Sequence, residues 1–140
     1  MTGEAEGKLR VPCEVRLVTD EGVRRVAADV FIHVKGYSLA RVTHLDIEHP
    51  ELTGLLPPKG GGFFTVEGVA GGLRIGFRPA RRGVWSIEVA SSLLNEVLRP
   101  GEATRTWVGG KLGGIYVGFR REEVRKLEEV ARRVFGVGPR

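Results

Sequence analysis

Apolar residues fall at every second position through much of the chain, the period of half-buried β-strands. Val11, Cys13, Val15 and Leu17 alternate with polar neighbours, and Asp20, Glu21 and Gly22 then make a turn. Val26, Ala28, Val30, Ile32 and Val34 resume the alternation, which predicts a hairpin. The segment Leu39 to Glu48 is ambiguous, but ARVTHLDIE suits a strand that buries Thr43, Leu45 and Ile47. HPELTGLLPPKGGG reads as a loop, since its prolines and glycines stop helix and strand alike. VWSIEVA (84–90) is a strand. SSLLNEVLR is a short helix capped by Ser91 or Ser92 and ended by Pro100 and Gly101.

The period changes to that of a helix in REEVRKLEEVARRVFG. Glu122 and Glu123 suit its N-terminal end, Arg132 and Arg133 its C-terminal end, and Gly136 is a C-cap candidate. Val124, Leu127, Ala131 and Val134 share a face that packs on the sheet, while Leu127, Val130 and Phe135 could instead meet a second subunit. Residues 1–8 read as a flexible tail and 9–136 as a single domain.

The Gly-rich half contains a repeat. GFFTVEGVAGGLRIGFR (62–78) aligns with TRTWVGGKLGGIYVGFR (104–120) through Val66/Val108, Gly68/Gly110, Gly71/Gly113, Gly72/Gly114, Gly76/Gly118, Phe77/Phe119 and Arg78/Arg120. Each copy reads as strand, glycine turn, strand, which predicts two equivalent ribbons in one antiparallel sheet. The expected fold is α+β: an antiparallel sheet of several hairpins, two of them a pseudo-repeat, with a short helix and a C-terminal amphipathic helix.

Alternation assigns faces within the repeat. Phe64, Val66, Leu73, Ile75, Phe77, Val108, Ile115, Val117 and Phe119 fall on the apolar side, so Phe77 and Phe119 read as core anchors. The opposite face collects Phe63, Trp107 and Tyr116 with Arg74, Arg78, Arg105 and Arg120, and Gly76 and Gly118 lie between the arginines. Rings offer unpaired bases a stacking surface, arginines pair with phosphates, and mid-strand glycines give clearance. Arg81 and Arg82 fall in a turn at the groove's rim, with Phe31, Tyr37 and Arg41 as further candidates. The competing reading covers this face with the helices or a partner chain.

Charge sharpens this picture. Residues 1–70 carry 8 basic and 10 acidic groups, and residues 71–140 carry 14 and 7. A one-sided basic surface attracts polyanions, nucleic acid most commonly. Arg outnumbers Lys 17 to 5, Gln is absent and Asn occurs once, as Asn95. That composition suits a thermophilic protein, in which surface charge also serves stability. With no long apolar run and no signal-peptide core in MTGEAEGKLR, the reading is a soluble, cytoplasmic protein. The lone Cys13 excludes an internal disulfide and reads as a small core residue.

Enzyme signals are sparse. His44, Asp46 and Glu48 share one strand face with His49 beside them, a donor set that can hold a metal. No second segment obviously adds ligands, so a solvated strand face is preferred. The glycine stretches lead into strands, whereas a phosphate loop opens a helix. Neither catalysis nor a cofactor is expected.

On the FF pair, the two GFR segments, the adjoining arginines and the terminal amphipathic helix, the chain resembles in type the ThermoDBP single-stranded DNA-binding proteins of archaea and their related proteins. The resemblance spans roughly residues 62–135. It implies a phenylalanine-lined cleft flanked by basic residues, in which Phe77 and Phe119 line the cleft rather than the core. Residues 121–135 are too short for the zipper that joins subunits in the founding type, which leaves the mode of oligomerisation open. The leading expectation is a non-enzymatic binder of single-stranded DNA or RNA, with a homo-oligomer through the C-terminal helix possible. The alternative is a structural subunit whose Gly/aromatic face is a protein interface.

Overall fold

The computed structural model describes residues 6–35, 41–57 and 59–136. Tyr37 and the first five residues of the expected tail lie outside the described residues, and the side chain of Arg41 is likewise not described. Ten strands form one antiparallel sheet: β1 (Glu6–Arg10), β2 (Glu14–Thr19), β3 (Gly22–Val26), β4 (Asp29–Lys35), β5 (Arg41–Glu48), β6 (Gly61–Val69), β7 (Gly72–Arg81), β8 (Val84–Ala90), β9 (Ala103–Lys111) and β10 (Gly114–Val117). Their spatial order is β1-β4-β5-β10-β9-β6-β7-β8-β2-β3. One helix, α1 (Arg121–Phe135), follows β10, and 3-10 turns occupy Pro50–Leu52 and Ser92–Glu96. The described residues are thus mostly β, a curled half-barrel with a single α-helix among them.

The curl follows from the first hairpin. Val15 faces Val26, the Val11 N–H donates to Val30 O at 2.8 Å, and Arg10 faces Phe31. This is one register along a single ribbon running from residue 6 to 35. The ribbon bends at residues 11–13 and 27–28, so β2 joins β8 at one end of the sheet and β4 joins β5 at the other. Three residues link β1 to β2 and two link β3 to β4. At about 3.3–3.6 Å per residue these links hold the two ends of the sheet close together, which forces the curl. The expected hairpin is present, and residues 6–8, expected in the tail, lie in β1.

The repeat forms the centre of the sheet. The hairpins β6–β7 and β9–β10 lie side by side through β6 and β9, with Phe64 directly opposite its repeat equivalent Thr106. A local two-fold therefore passes between those residues, and equivalent glycines do equivalent work. Gly71 and Gly113 take the positive φ of the two turns, at 81° and 86°. Gly68 and Gly110 lie under backbone that crosses the core side: a Cβ there would meet Leu98 O at 2.6 Å or Leu56 O at 2.5 Å.

The core fills the sheet's apolar face with Val30, Ile32, Leu45, Ile47, Val66, Ile75, Phe77, Ile87, Val108, Ile115 and their neighbours, all buried. The 3-10 turns and α1 close over that same face, α1 packing against β5 and the second turn. Leu127, Val130 and Ala131 of the helix are buried within the chain, and of the three residues offered to a second subunit Leu127 and Val130 are covered while Phe135 is partly buried against the core. Val134 is exposed rather than packed. Gly136 caps the helix at φ 69°, its N–H reaching Arg132 O at 3.2 Å.

Two local readings are corrected. A bulge between His33 and Val34 leaves Thr43 without a partner, so Val42 takes the buried place expected for Thr43. The expected short helix in SSLLNEVLR is a 3-10 turn with Ser91 at its N-cap, but Ser91 makes no side-chain capping bond. Asn95 anchors this turn, its Nδ2 lying 3.0, 2.9 and 3.1 Å from the carbonyl oxygens of Val69, Gly72 and Leu98. Among the described residues no helix is long and apolar enough to cross a membrane.

Candidate nucleic-acid interface

The face opposite the core carries the aromatic and charged side chains, and no described helix or turn packs on it. Register places them in rows. Arg105, Thr65, Gly76, Ser86 and Val18 face one another in turn across β9, β6, β7, β8 and β2. One row over run Glu67, Arg74, Glu88 and Arg16, and on the other side Phe63 faces Trp107. The small residues at the middle of the first row leave a trough. It is a groove of about 600 Å³ whose lining includes Phe63, Thr65, Arg74, Gly76, Arg78, Trp85, Ser86 and Arg105.

The groove opens where the sheet's pairing stops. The β6–β7 ladder ends at Thr65 opposite Gly76, and beyond Gly76–Ser86 the β7–β8 register shifts before Arg81 meets Val84. Where that pairing stops, the buried rings of Phe64 and Phe77 reach the floor of the groove. Phe77 is fully buried and packs edge-to-face on Phe64 at 5.1 Å. It is both a core anchor and part of the groove's lining, whereas Phe119 packs only partly buried against the core.

Phe63 is 59% exposed and Trp107 37% exposed, their rings edge-to-face at 5.4 Å. Tyr116 stands apart from the groove. It lies across Gly109, accepts the Trp107 indole N–H at 3.0 Å, and packs against His44 at 5.5 Å. The expected set therefore divides. Phe63, Arg74, Arg78 and Arg105 line the groove, Trp107 lies at its rim, and Tyr116 bridges to a second cluster. Arg81 stacks on Phe64 at 5.6 Å, Arg82 reaches the backbone of Gly54, and Arg120 precedes α1 in an extended conformation.

Electrostatics separates the arginines. Arg74 donates to Glu88 at 2.9 Å and Glu67 at 3.3 Å. Its bond to Glu88 raises its pKa above the ordinary value, with Glu67 adding to the effect against partial burial. This arginine is committed to its neighbours rather than to a phosphate. Arg16 likewise pairs with Glu14 at 3.1 Å. Arg78 and Arg105 make no ion pair among the described residues.

Two groove or face residues escape sequence reasoning. Trp85 alternates with Ile87 and Val89, which would bury it. Trp85 is itself the extra residue of a bulge in β8, between Ser86 opposite Val18 and Val84 opposite Thr19, and it turns outward, 46% exposed, with its indole donating to Asp20 at 2.5 Å. His33 lies beside His44 on the adjacent strand, where only the β4–β5 register brings them together.

Asp46 is 1% exposed, so the HLDIEH segment is not the solvated strand face expected. Burial raises its pKa, but the His44 and Lys111 nitrogens close beside it outweigh that and hold it below the ordinary value. Lys111 also pairs with Glu48 at 2.8 Å, and Lys8 with Glu48 at 2.5 Å. The Lys8 ammonium lies 5.2 Å from the centre of the Phe31 ring. Phe31 thus belongs to this second cluster. No family model, curated protein or solved structure matches the chain.

Proposed function

We propose that the chain is a non-enzymatic binder of single-stranded DNA or RNA, working in the cytoplasm of a thermophile. The observation that carries the reading is an uncovered groove with two partly exposed tryptophans, Trp85 and Trp107, beside Phe63 and the unpaired Arg78 and Arg105. Bases would stack on the rings, and the two arginines would hold phosphates. The trough at Thr65, Gly76 and Ser86 gives room for a base plane. Two rows flanking it stand about 13 Å apart along the strands, from the ordinary rise of a strand. The aromatic and arginine likeness to the ThermoDBP type points the same way.

The test is a tryptophan-fluorescence titration with a mixed-sequence single-stranded DNA, its RNA counterpart and a duplex, at two salt concentrations. Quenching by single strands, weakened by salt and reduced in Trp107→Phe, is the expected result. No binding at low salt by any of the three would refute the reading.

The self-compensated row Glu67–Arg74–Glu88–Arg16 favours a second reading, a protein interface, because it presents both signs of charge to a partner. Concentration-dependent association of the free protein that buries Trp107, with no nucleic-acid binding, would select it.

A further inference from the structure

We propose that His33, His44 and Asp46 form a binding site for a divalent transition ion of the zinc class, linking β4 to β5. The three ligand atoms lie within 4.8 Å of one another. His33 Nδ1 stands 3.2 Å from His44 Nε2, and His44 Nε2 stands 3.0 Å from Asp46 Oδ1. Ligands at zinc distances of about 2.0–2.2 Å in tetrahedral geometry lie roughly 3.3 Å apart, so both pairs made by His44 already stand near that spacing. The His33–Asp46 pair, within 4.8 Å, has at most about 1.5 Å to close. Two imidazoles and a carboxylate are a donor set that suits zinc, and hard ions such as magnesium and calcium prefer oxygen.

The register explains why the site was invisible as a sequence motif. His33 lies directly opposite His44, at the bulge that ejects Thr43. The ejected Thr43 contacts His44 Nδ1 through its hydroxyl at 2.9 Å and the His33 carbonyl at 3.3 Å. A hydroxyl that donates to the carbonyl accepts from Nδ1–H, which leaves the lone pair of a neutral His44 on Nε2. That is the tautomer a metal ligand uses, and ion binding at Nε2 would select it through this outer partner.

Asp46 supplies the second observation. Its Oδ1 is buried and has no hydrogen-bond partner. His44 Nε2 and Lys111 Nζ come within 3.0 and 3.1 Å of it, yet neither is aligned to donate. A cation shared with the two imidazoles would give this buried oxygen the direct, aligned partner that neither neighbour supplies. Lys111 competes for the same oxygen but retains Glu48 when displaced. With three protein ligands, a fourth position remains for water on the side toward solvent, where His44 is partly exposed.

The chain has three histidines, so the site can be read directly. Untagged, chelator-treated protein at pH 7.5 would be titrated with ZnCl2 and followed through its histidine ring nitrogens by NMR. The expected result is saturable shifts at His33 Nδ1 and His44 Nε2 at one equivalent, with His49 unmoved. His33→Gln should weaken binding by at least about tenfold. Lys111→Met should tighten it, because the competing ammonium is gone. The wild-type spectra need no variant, so a substitution that fails to fold does not obscure the outcome. Absence of shifts at one equivalent, or equal shifts at all three histidines, would overturn the proposal. So would an unchanged affinity in a folded His33→Gln.

Discussion

Gly109 and Gly110 are neighbours on β9 whose missing side chains serve opposite faces, and substituting each separates a rigid constraint from a soft one. A Cβ on Gly110 would stand 2.5 Å from the carbonyl oxygens of both Leu56 and Pro57. That is about 0.8 Å inside the ~3.3 Å at which carbon and carbonyl oxygen normally meet. The crossing segment cannot retreat easily, since Gly110 N–H donates to Gly60 O at 2.9 Å and Lys59 N–H donates to Gly110 O at 3.2 Å. Overpacking against backbone costs about 1–3 kcal/mol, and removing a strand glycine returns about 0.5–1. With two carbonyls met at once the cost falls in the upper part of that range, about 2–3 kcal/mol, so Gly110→Ala should lose about 1–2.5 kcal/mol and lower Tm by roughly 2–10 °C. A Cβ on Gly109 would meet only the tip of the Tyr116 ring, 2.5 Å from its hydroxyl. That ring can swing away, sacrificing its bond from Trp107, worth about 0.5–1.5 kcal/mol, against the same strand gain. Gly109→Ala should stay within about 1 kcal/mol of wild type while shifting the Trp107 emission. Thermal unfolding by circular dichroism and intrinsic fluorescence on the same samples read both effects. Gly68→Ala, the repeat equivalent, should behave as Gly110→Ala does. Equal destabilisation by the two β9 substitutions, or an unchanged Tm in Gly110→Ala, would refute this account of why the glycines are there.

Other expectations follow from particular contacts. Trp107→Ala should weaken single-strand binding by about 5–150-fold, the loss of one stacked base, measured by anisotropy of a labelled oligonucleotide. Arg105→Ala should reduce the salt dependence of that binding by about 0.7 in the logarithmic slope. Arg74→Ala should leave the slope unchanged, because its guanidinium is held by Glu88 and Glu67. Burial pushes the Cys13 thiol up to about 11 from an ordinary 9.0. A raised thiol pKa favours the folded state at neutral pH, and that contribution falls away as pH climbs from about 9 through 11. At pH 8 a disulfide reagent should therefore react far more slowly with native than with unfolded protein. Asn95→Leu should cost about 1–3 kcal/mol in urea unfolding, since it strips the amide that serves the carbonyls of Val69, Gly72 and Leu98.

Much of this protein was written in one dimension. Alternation assigned Phe63 and Trp107 to one face and Phe64, Val66 and Val108 to the other, because side chains on a strand must point to opposite sides. The glycine spacing of the repeat announced two like hairpins, since tight turns need positive φ at fixed offsets. The helix at residues 121–135 was legible from its period and its charged ends. Tertiary structure decided whatever depends on which strands become neighbours. The bend in the first hairpin, set by neighbours at both ends of the sheet, is invisible to a local pattern. A bulge turned Thr43 from its expected buried side, and another set Trp85 outside the alternation of β8, because one extra residue shifts the phase beside it. Pairing of β4 with β5 set His33 against His44, and the pairing of β7 with β8 locked Arg74 to Glu88. Composition counted those residues as histidines and positive charge. Only the fold determined that one pair converges on a buried carboxylate and that one arginine is already occupied.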